Sequence, residues 1–510
     1  FWLKPFWLKM VPSPSRNGSS TGSHDYAGLT ELLTGLSRSP CSSILRRFSL
    51  GRSVQGRELW AVRLTDNPDV EELEPKFLYV GNIHGDETLG RELLIQFVQD
   101  VCDRYAAWDD YVRWLLEETD IYVVVSLNPD GFAEKSRYNH NGWDLNRNFP
   151  DQVKGSPSVM QPETLAMVRF LQQHSFSLGA NLHGGTLCCN YPWDDRNSGD
   201  GGAASGLFSS ISPDDALYKY LCSVYSNAHP AMHNSKRFGG GVTNGAAYFP
   251  IYGGLQDYAY AQHGMLHVTL ELGHTKAPVV SRFPSEWAEN FEALYAFLEQ
   301  VHLGVRGRVV CTCRDVPGDV DDLAADEPAN ATLTFTQLGG GGPLPGSLPL
   351  AQVMRTRTDS VLGGYYRVLL PGTYLVTVEG CEGALVAARR VTVPSRSLRT
   401  QRGSFPSGPP VVVDFALRRP SCPLRPLVLP GGLAQRWNAM LELPQRSAPG
   451  VPATAVLAMM AVLWAWRLLR WRSARGVVEE SDSPWLVSEW PEEGAVSQPD
   501  TGGSSLFAAL

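Results

Sequence analysis

The segment YVGNIHGDETLGRELL carries a histidine and a glutamate three residues apart, His84 and Glu87. His84 ends the apolar run KFLYVGNI, and a helix-like segment follows Glu87. Imidazole and carboxylate are both zinc ligands. Such a pair forms either half of a metal site or an ordinary polar turn, and it arises by chance in many proteins of this size. A third metal ligand at the end of another strand is needed to decide between these two interpretations.

His183, in the segment LGANLHGG, is the candidate third ligand because it also ends a strand-like run. Two histidines and one carboxylate are a usual catalytic zinc set, which leaves a fourth position for water. Taken alone, His183 also fits a core histidine whose ring nitrogens have hydrogen-bond partners. Glu271 ends the apolar strand VTLELG, where a carboxylate is costly unless it is paired or functional. It is the candidate base beside the metal.

The loop RYNHNGWDLNRNFPD concentrates cationic and amide side chains, among them Arg137, Asn146 and Arg147. Guanidinium groups suit the recognition of a carboxylate or an oxyanion. The alternative interpretation is a solvated loop with surface arginines.

Strand-like runs alternate with helical patterns from residue 25 to residue 303. The strand-like runs include KFLYVGNI, DIYVVVSLNP, LGANLH and MLHVTLELG, and the helical patterns include LGRELLIQFVQDVCDRY, PETLAMVRFLQQH and SEWAENFEALYAFLEQ. This alternation predicts an α/β domain with a largely parallel sheet. Functional residues collect at the carboxyl ends of the strands in such sheets.

The pattern changes near Val305 to short strands separated by Gly/Pro turns, which predicts a small antiparallel β-sandwich over residues 304–419. Residues 420–450 are rich in Pro and Arg and are interpreted as a linker. Residues 1–24 are interpreted as disordered or as a mispredicted N-terminus, because FWLKPFWLKM lacks an initiating Met and has no signal-peptide pattern.

Residues 451–469 contain the uncharged run VPATAVLAMMAVLWAW and are predicted to form a membrane segment. Arginines follow it closely, which places the acidic tail, residues 470–510, in the cytosol. The alternative is a hydrophobic tail removed for a GPI anchor, although such a signal ends in its apolar stretch.

The amino-acid composition argues against some classes of function. A hydrophobic fraction of 43% and a charged fraction of 19% are those of a folded protein, and the net charge of −8 provides no basic footprint for nucleic acid. The nine cysteines include no CxxC pair, which argues against a structural zinc ribbon. Scattered cysteines in a chain of this size are compatible with a few disulfides, and the odd count leaves at least one cysteine unpaired. Sequons at Asn17 and Asn330 fit a secreted glycoprotein.

Several motifs in order along the chain together resemble the zinc metallocarboxypeptidases of the N/E branch. They are SVQGRELWA, YVGNIHGDE, SLNPDGF, DLNRNFPD, NLHGGTL, NYPWDD, GGLQDYAY and VTLELG. The resemblance implies an α/β domain with an eight-stranded mixed sheet, followed by a transthyretin-like all-β sandwich. It also implies one zinc ion, held by His84, Glu87 and His183.

The resemblance also implies roles for the other candidates. Arg137 would polarise the scissile carbonyl, and Asn146 and Arg147 would hold the terminal carboxylate of the substrate. Glu271 would act as general base and then as proton donor to the leaving amine.

Three further positions bear on substrate choice. Asp194 lies eleven residues after His183, where the basic-residue branch has an acid facing the C-terminal side chain, and Gln256 matches a second pocket position. A buried carboxylate there favours Arg or Lys, although Asp194 also fits a loop acid in a turn. Phe249 stands twenty-two residues before Glu271, where the family has a tyrosine, so a hydroxyl is lost. Tyr248 is adjacent, but neighbours in an extended segment point to opposite faces.

The leading hypothesis is a zinc exopeptidase that removes C-terminal Arg or Lys from peptides at the extracellular face of the plasma membrane. One rival is a catalytically weakened or inactive peptide-binding protein of the same fold, which only Phe249 favours. The other rival keeps the enzyme but makes it soluble and secreted.

Overall fold

The computed structural model describes residues 24–38, 41–196, 209–313, 326–338, 353–381, 385–395 and 411–419. The predicted linker, membrane segment and acidic tail, the sequon at Asn17 and nearly all of the N-terminal segment lie outside these ranges. Across the ranges that are described, no helix is both long and apolar enough to cross a membrane.

The helices α1–α9 are Tyr26–Leu36, Leu89–Ala106, Asp110–Glu117, Pro129–Glu134, Pro162–Gln173, Asp215–Ala228, Gly245–Tyr248, Leu255–His263 and Phe283–Leu298. The strands β1–β8 are Leu45–Arg52, Glu58–Leu64, Lys76–Gly81, Asp120–Val124, Phe176–His183, Thr186–Tyr191, Val242–Asn244 and Leu266–Gly273. The strands β9–β17 are Val305–Thr312, Glu327–Pro328, Thr332–Gln337, Val353–Arg357, Gly364–Arg367, Gly372–Gly380, Leu385–Val393, Val411–Val412 and Phe415–Arg418.

The first eight strands form one mixed sheet in the order β1-β2-β4-β3-β5-β8-β6-β7. Its centre, β4-β3-β5-β8, is parallel, and β7 also pairs in parallel with β6. The pairs β1–β2, β2–β4 and β6–β8 are antiparallel. The expected eight-stranded α/β fold is therefore confirmed. The largely parallel sheet predicted from strand alternation alone holds for this centre and for the β6–β7 pair, but not for the three antiparallel pairs.

Side-chain alternation along β5 and β8 separates an apolar face from a functional face. Leu178, Ala180 and Leu182 of β5 belong to the larger apolar core, which also contains residues of α2 and α9. Successive side chains of a strand point to opposite faces, so His183 lies on the other face. The parallel register pairs His183 with Glu271 of β8, and both stand at the carboxyl edge of the sheet.

The remaining strands form a second unit of two sheets that share one core. β9, β10, β13, β16 and β17 make a five-stranded sheet, and β11, β12, β14 and β15 make a four-stranded sheet. Their core includes Phe335 and Val376 from one sheet and Tyr365 and Phe415 from the other. This two-sheet arrangement agrees with the predicted β-sandwich, and β9 begins at Val305, where the sequence pattern changes.

Three disulfides join cysteines that both lie in the described ranges. Cys41 pairs with Cys102, Cys189 with Cys222, and Cys311 with Cys381. The last of these lies within the second unit, and the first two lie within the first. The prediction of a few disulfides is confirmed, and Cys188 is a buried free thiol.

Candidate active site

Three predicted metal ligands converge at the carboxyl edge of the sheet. The Glu87 carboxylate places Oε1 3.1 Å from His84 Nδ1 and Oε2 2.8 Å from His183 Nδ1. One ligand atom from each residue lies within 4.8 Å of the others. Burial alone would raise the pKa of Glu87, but the His183 and His84 rings outweigh it and hold that pKa well below its ordinary value. The donor set and its convergence fit a zinc ion.

Two residues that the sequence interpretation missed orient these ligands. Asp144 accepts a hydrogen bond from His84 Nε2 at 3.2 Å, which leaves Nδ1 for the metal. Asn82, which has a φ of 57°, donates from its side chain to the carbonyl oxygens of His84 at 2.8 Å and Glu87 at 3.1 Å. The position of Asp144 in the DLNRN motif is the one sequence signal that could have indicated it.

Arg137 lies directly beside this cluster. Its Nη1 is 3.2 Å from His84 Nδ1 and 3.5 Å from Glu87 Oε1. Its Nε and Nη2 donate to Asp144 Oδ2 at 3.0 Å and 2.9 Å, which fixes the guanidinium plane. A cation held in this position can contact an oxygen that develops negative charge next to the ligand set.

Asn146 and Arg147 lie on a short helical turn, whose backbone is held by Asp144. Asp144 Oδ1 accepts from Asn146 N at 3.0 Å, and Asn146 Oδ1 in turn accepts from Leu255 N at 2.9 Å at the start of α8. Arg147 Nη1 donates to the Asn146 carbonyl at 2.8 Å. These contacts fix the turn that presents both side chains to the cavity.

One cavity of about 270 Å³ unites nine of the ten predicted site residues. Gln256 is the exception, because it lies behind the wall and touches the site through Asp194. The sequence interpretation did not assign the other lining residues, which are Gly184, Gly185, Asn190, Tyr248, Ile251, Thr269 and Lys276.

Glu271 is partly exposed to this cavity from the end of β8. Desolvation, together with the neighbouring Glu87 charge, raises the pKa of Glu271 well above its ordinary value, and Lys276 and Arg137 oppose this. A carboxylate with a raised pKa is the stronger base once it is ionised.

Asp194 occupies the closed end of the cavity and is only 5% exposed. Its Oδ1 accepts from Gln256 Nε2 at 2.8 Å, and Asp257 accepts from its backbone N–H at 2.9 Å. A β-carbon at Gly245 would lie 1.9 Å from Asp194 Oδ1, so this glycine makes room for the carboxylate. Within the described ranges no Lys or Arg forms an ion pair with it, although the Arg147 charge acts on it. Burial raises the pKa of Asp194 above its ordinary value.

Tyr248 and Phe249 both line the cavity. The expectation that they point to opposite faces assumed an extended segment, whereas Tyr248 ends the short helix α7. The assumption of an extended segment is therefore wrong for Tyr248. The Phe249 ring is 63% exposed, and the Tyr248 ring packs edge-on against Phe238 at 5.3 Å. Burial raises the pKa of Tyr248, and the Glu271 charge adds to this rise.

Comparison with known proteins identifies the family of this chain. Residues 31–293 match the family model described as zinc carboxypeptidase, and the chain belongs to that family.

Several of its curated relatives are carboxypeptidases of the N/E branch. The chain is 34% identical to mouse (Mus musculus) carboxypeptidase M over 441 residues, covering 79% of this chain and 89% of the relative. It is 33% identical to the mouse carboxypeptidase N catalytic chain over 450 residues, covering 81% and 90%. It is 37% identical to human (Homo sapiens) carboxypeptidase D over 372 residues, covering 69% of this chain and only 25% of that much longer protein.

Solved structures also match the chain. Thrombin-activatable fibrinolysis inhibitor aligns over 57% of this chain and 77% of its own at 17% identity, with a TM-score of 0.47. Carboxypeptidase A from Helicoverpa armigera aligns over 55% and 73% at 16% identity, with a TM-score of 0.44.

Proposed function

We propose that this zinc carboxypeptidase removes C-terminal Arg or Lys from peptides and proteins. The single observation that carries the choice of substrate is the buried Asp194 carboxylate at the closed end of the cavity. A buried carboxylate without an ionic partner is costly, and an incoming guanidinium or ammonium group would offset that cost. Acidic C-terminal side chains would be repelled, and apolar ones would leave the charge unpaired.

One zinc ion would be held by His84, Glu87 and His183. Zinc supplies Lewis acidity toward water and toward a carbonyl oxygen. Glu271 takes a proton from the attacking water and delivers it to the amine that leaves. Its position opposite His183 in the strand register puts both steps at the same edge of the sheet.

Arg137 contacts one part of the substrate backbone, and Asn146 and Arg147 contact another. Arg137, fixed by Asp144, stabilises the negative charge that develops on the scissile carbonyl oxygen. Asn146 and Arg147 bind the terminal carboxylate, with the guanidinium as a fork for its two oxygens. This carboxylate contact restricts cleavage to the last residue of the peptide.

We further propose a chain with catalytic domain 25–303, a transthyretin-like β-domain 304–419, and action at the extracellular face of the plasma membrane, with secretion as the alternative. Three disulfides support an oxidising compartment. The sequon asparagine Asn330 is exposed, as glycosylation requires. The proposed membrane anchor, residues 451–469, rests on the amino-acid sequence alone.

Turnover of four peptides that differ only in their last residue, Arg, Lys, Leu or Glu, tests this function. We expect hydrolysis of the Arg and Lys peptides, loss of activity with a chelator, and little activity in Glu271→Gln. Binding of an Arg-terminated peptide without release of Arg would instead favour the inactive peptide-binding protein, the rival that the loss of a hydroxyl at Phe249 suggests.

A further inference from the structure

Lys276 is a cation that lines the active-site cavity and belongs neither to the proposed metal ligands nor to the proposed carboxylate-binding residues. It follows β8 in a loop, and its backbone carbonyl accepts from Thr88 N at 3.0 Å, which ties the loop to the start of α2. Its side chain runs along the turn after His183, because a β-carbon at Gly185 would lie 3.5 Å from Lys276 Cγ. With no side chains on Gly184 and Gly185, the Lys276 stem has room to reach the ligand cluster.

The Lys276 ammonium group lies next to two carboxylates and still faces the cavity. Its Nζ is 3.1 Å from Asp86 Oδ2 and 3.2 Å from Glu87 Oε1. An ammonium has three N–H donors, so these contacts leave one donor for a ligand. The side chain is 41% exposed, against 5% for the whole of Asp194, which places Lys276 at the open end of the cavity.

The strand register shows that Lys276 and Asp194 lie on opposite sides of the reaction centre. β6 runs antiparallel to β8, pairing Cys188 with Glu271 and then Asn190 with Thr269, so it leads from Glu271 back toward the start of β8 and on to Asp194. Lys276 comes five residues after Glu271, beyond the end of β8 at Gly273. A peptide whose last side chain reaches Asp194, with its scissile bond beside Glu271, would then extend its preceding residues toward Lys276.

We infer that Lys276 selects the residue that precedes the scissile bond, favouring an acidic side chain and disfavouring a basic one. This rests on the proposed function, because it requires the last residue of the substrate to occupy the Asp194 end. One consequence concerns peptides that end in two basic residues. The first cleavage of a Lys-Arg terminus would be slow, because the Lys side chain meets Lys276. The second would escape this penalty, because that Lys then occupies the Asp194 end.

The test compares three peptides that share a C-terminal Arg and differ in the preceding residue, Glu, Ala or Lys. Exposed charge pairs have small effects, so we expect kcat/KM for Glu-Arg to exceed that for Lys-Arg by roughly twofold to thirtyfold at low salt. The ratio should fall toward one as salt screens the charges. Because both peptides end in Arg, screening at Asp194 cancels in this ratio.

Variants assign the effect to Lys276. Lys276→Met removes the charge and keeps the apolar stem, and it should lower the Glu-Arg to Lys-Arg ratio at least twofold, whereas Lys276→Arg should preserve it. Lys219→Met is the matched control, since Lys219 also pairs with a carboxylate, Asp215 at 2.7 Å, but lies on α6. A ratio measured within one sample does not depend on the fraction loaded with zinc, so weakened metal binding cannot imitate the effect.

Two results would overturn the inference and leave the proposed function intact. One is an unchanged ratio in an active Lys276→Met variant. The other, which needs no variant, is equal turnover of Glu-Arg and Lys-Arg by the unaltered protein at low salt. Failure to cleave even Ala-Arg would instead contradict the proposed function itself.

Discussion

Asp194→Asn is the substitution that most sharply separates charge recognition from shape. The amide keeps the size of the side chain and retains an oxygen that can accept a hydrogen bond from Gln256 Nε2. In the unaltered protein, this nitrogen lies 2.8 Å from Asp194 Oδ1. It removes the charge that faces the substrate cation. Loss of one partner of a buried charge pair costs roughly 2–5 kcal/mol. At about 1.4 kcal/mol per decade, this predicts a loss of roughly 30-fold to several thousand-fold in kcat/KM for an Arg-terminated peptide.

The assay is competitive hydrolysis of two peptides that differ only in a C-terminal Arg or Leu, with both products quantified in the same sample. Most of the loss should be in KM, because the cation contacts Asp194 before and during the reaction. The Leu peptide should be affected little, which serves as the internal control for folding and zinc content. If Asp194→Asn leaves the ratio of Arg to Leu cleavage unchanged, specificity resides elsewhere.

Four further results are expected. His183→Ala should abolish zinc binding and activity while leaving the circular dichroism spectrum nearly unchanged, and an active variant would refute the ligand set. Glu271→Gln should slow kcat by roughly 10²–10⁴-fold with zinc still bound, and parental rates would show that Glu271 is not the base. Phe249→Tyr should lower KM by roughly one to two decades with little change in kcat; no change in either would indicate that Tyr248 already supplies the hydroxyl. In the unaltered protein, the ratio of Arg to Leu cleavage should rise with pH as Asp194 ionises, over a range above that of an ordinary carboxyl because burial raises its pKa. If the ratio of Arg to Leu cleavage does not change over that pH range, the Asp194 carboxylate does not face the C-terminal side chain of the substrate.

The convergence of the proposed metal ligands and base could be predicted from sequence because strand ends carry most of them. His84, His183 and Glu271 each terminate an apolar run, and parallel strands bring such ends to one edge of the sheet. The eight-stranded mixed sheet followed from the family motifs, whereas strand alternation alone predicted a largely parallel sheet. The antiparallel pairing of β6 with β8 has no local signal in the sequence, since it depends on where the chain returns.

The residues that sequence reasoning missed act through tertiary position. Thr269 and Asn190 line the cavity because of the β6–β8 register, and Lys276 does so because its loop folds back over the turn after His183. Tyr248 lines the cavity because a four-residue helix replaces the extended segment that was assumed. In each case the residue type is ordinary for a strand or loop, so neither composition nor periodicity distinguishes it.

Zinc titration of the metal-free protein, with bound metal and release of Arg from an Arg-terminated peptide measured in the same samples, is the most direct test of a zinc-dependent exopeptidase. We expect activity to be absent in the metal-free protein, to rise in proportion to bound zinc, and to reach its maximum at one zinc per chain. Full turnover by a demonstrably metal-free sample, or one bound zinc per chain without any release of Arg, would contradict it.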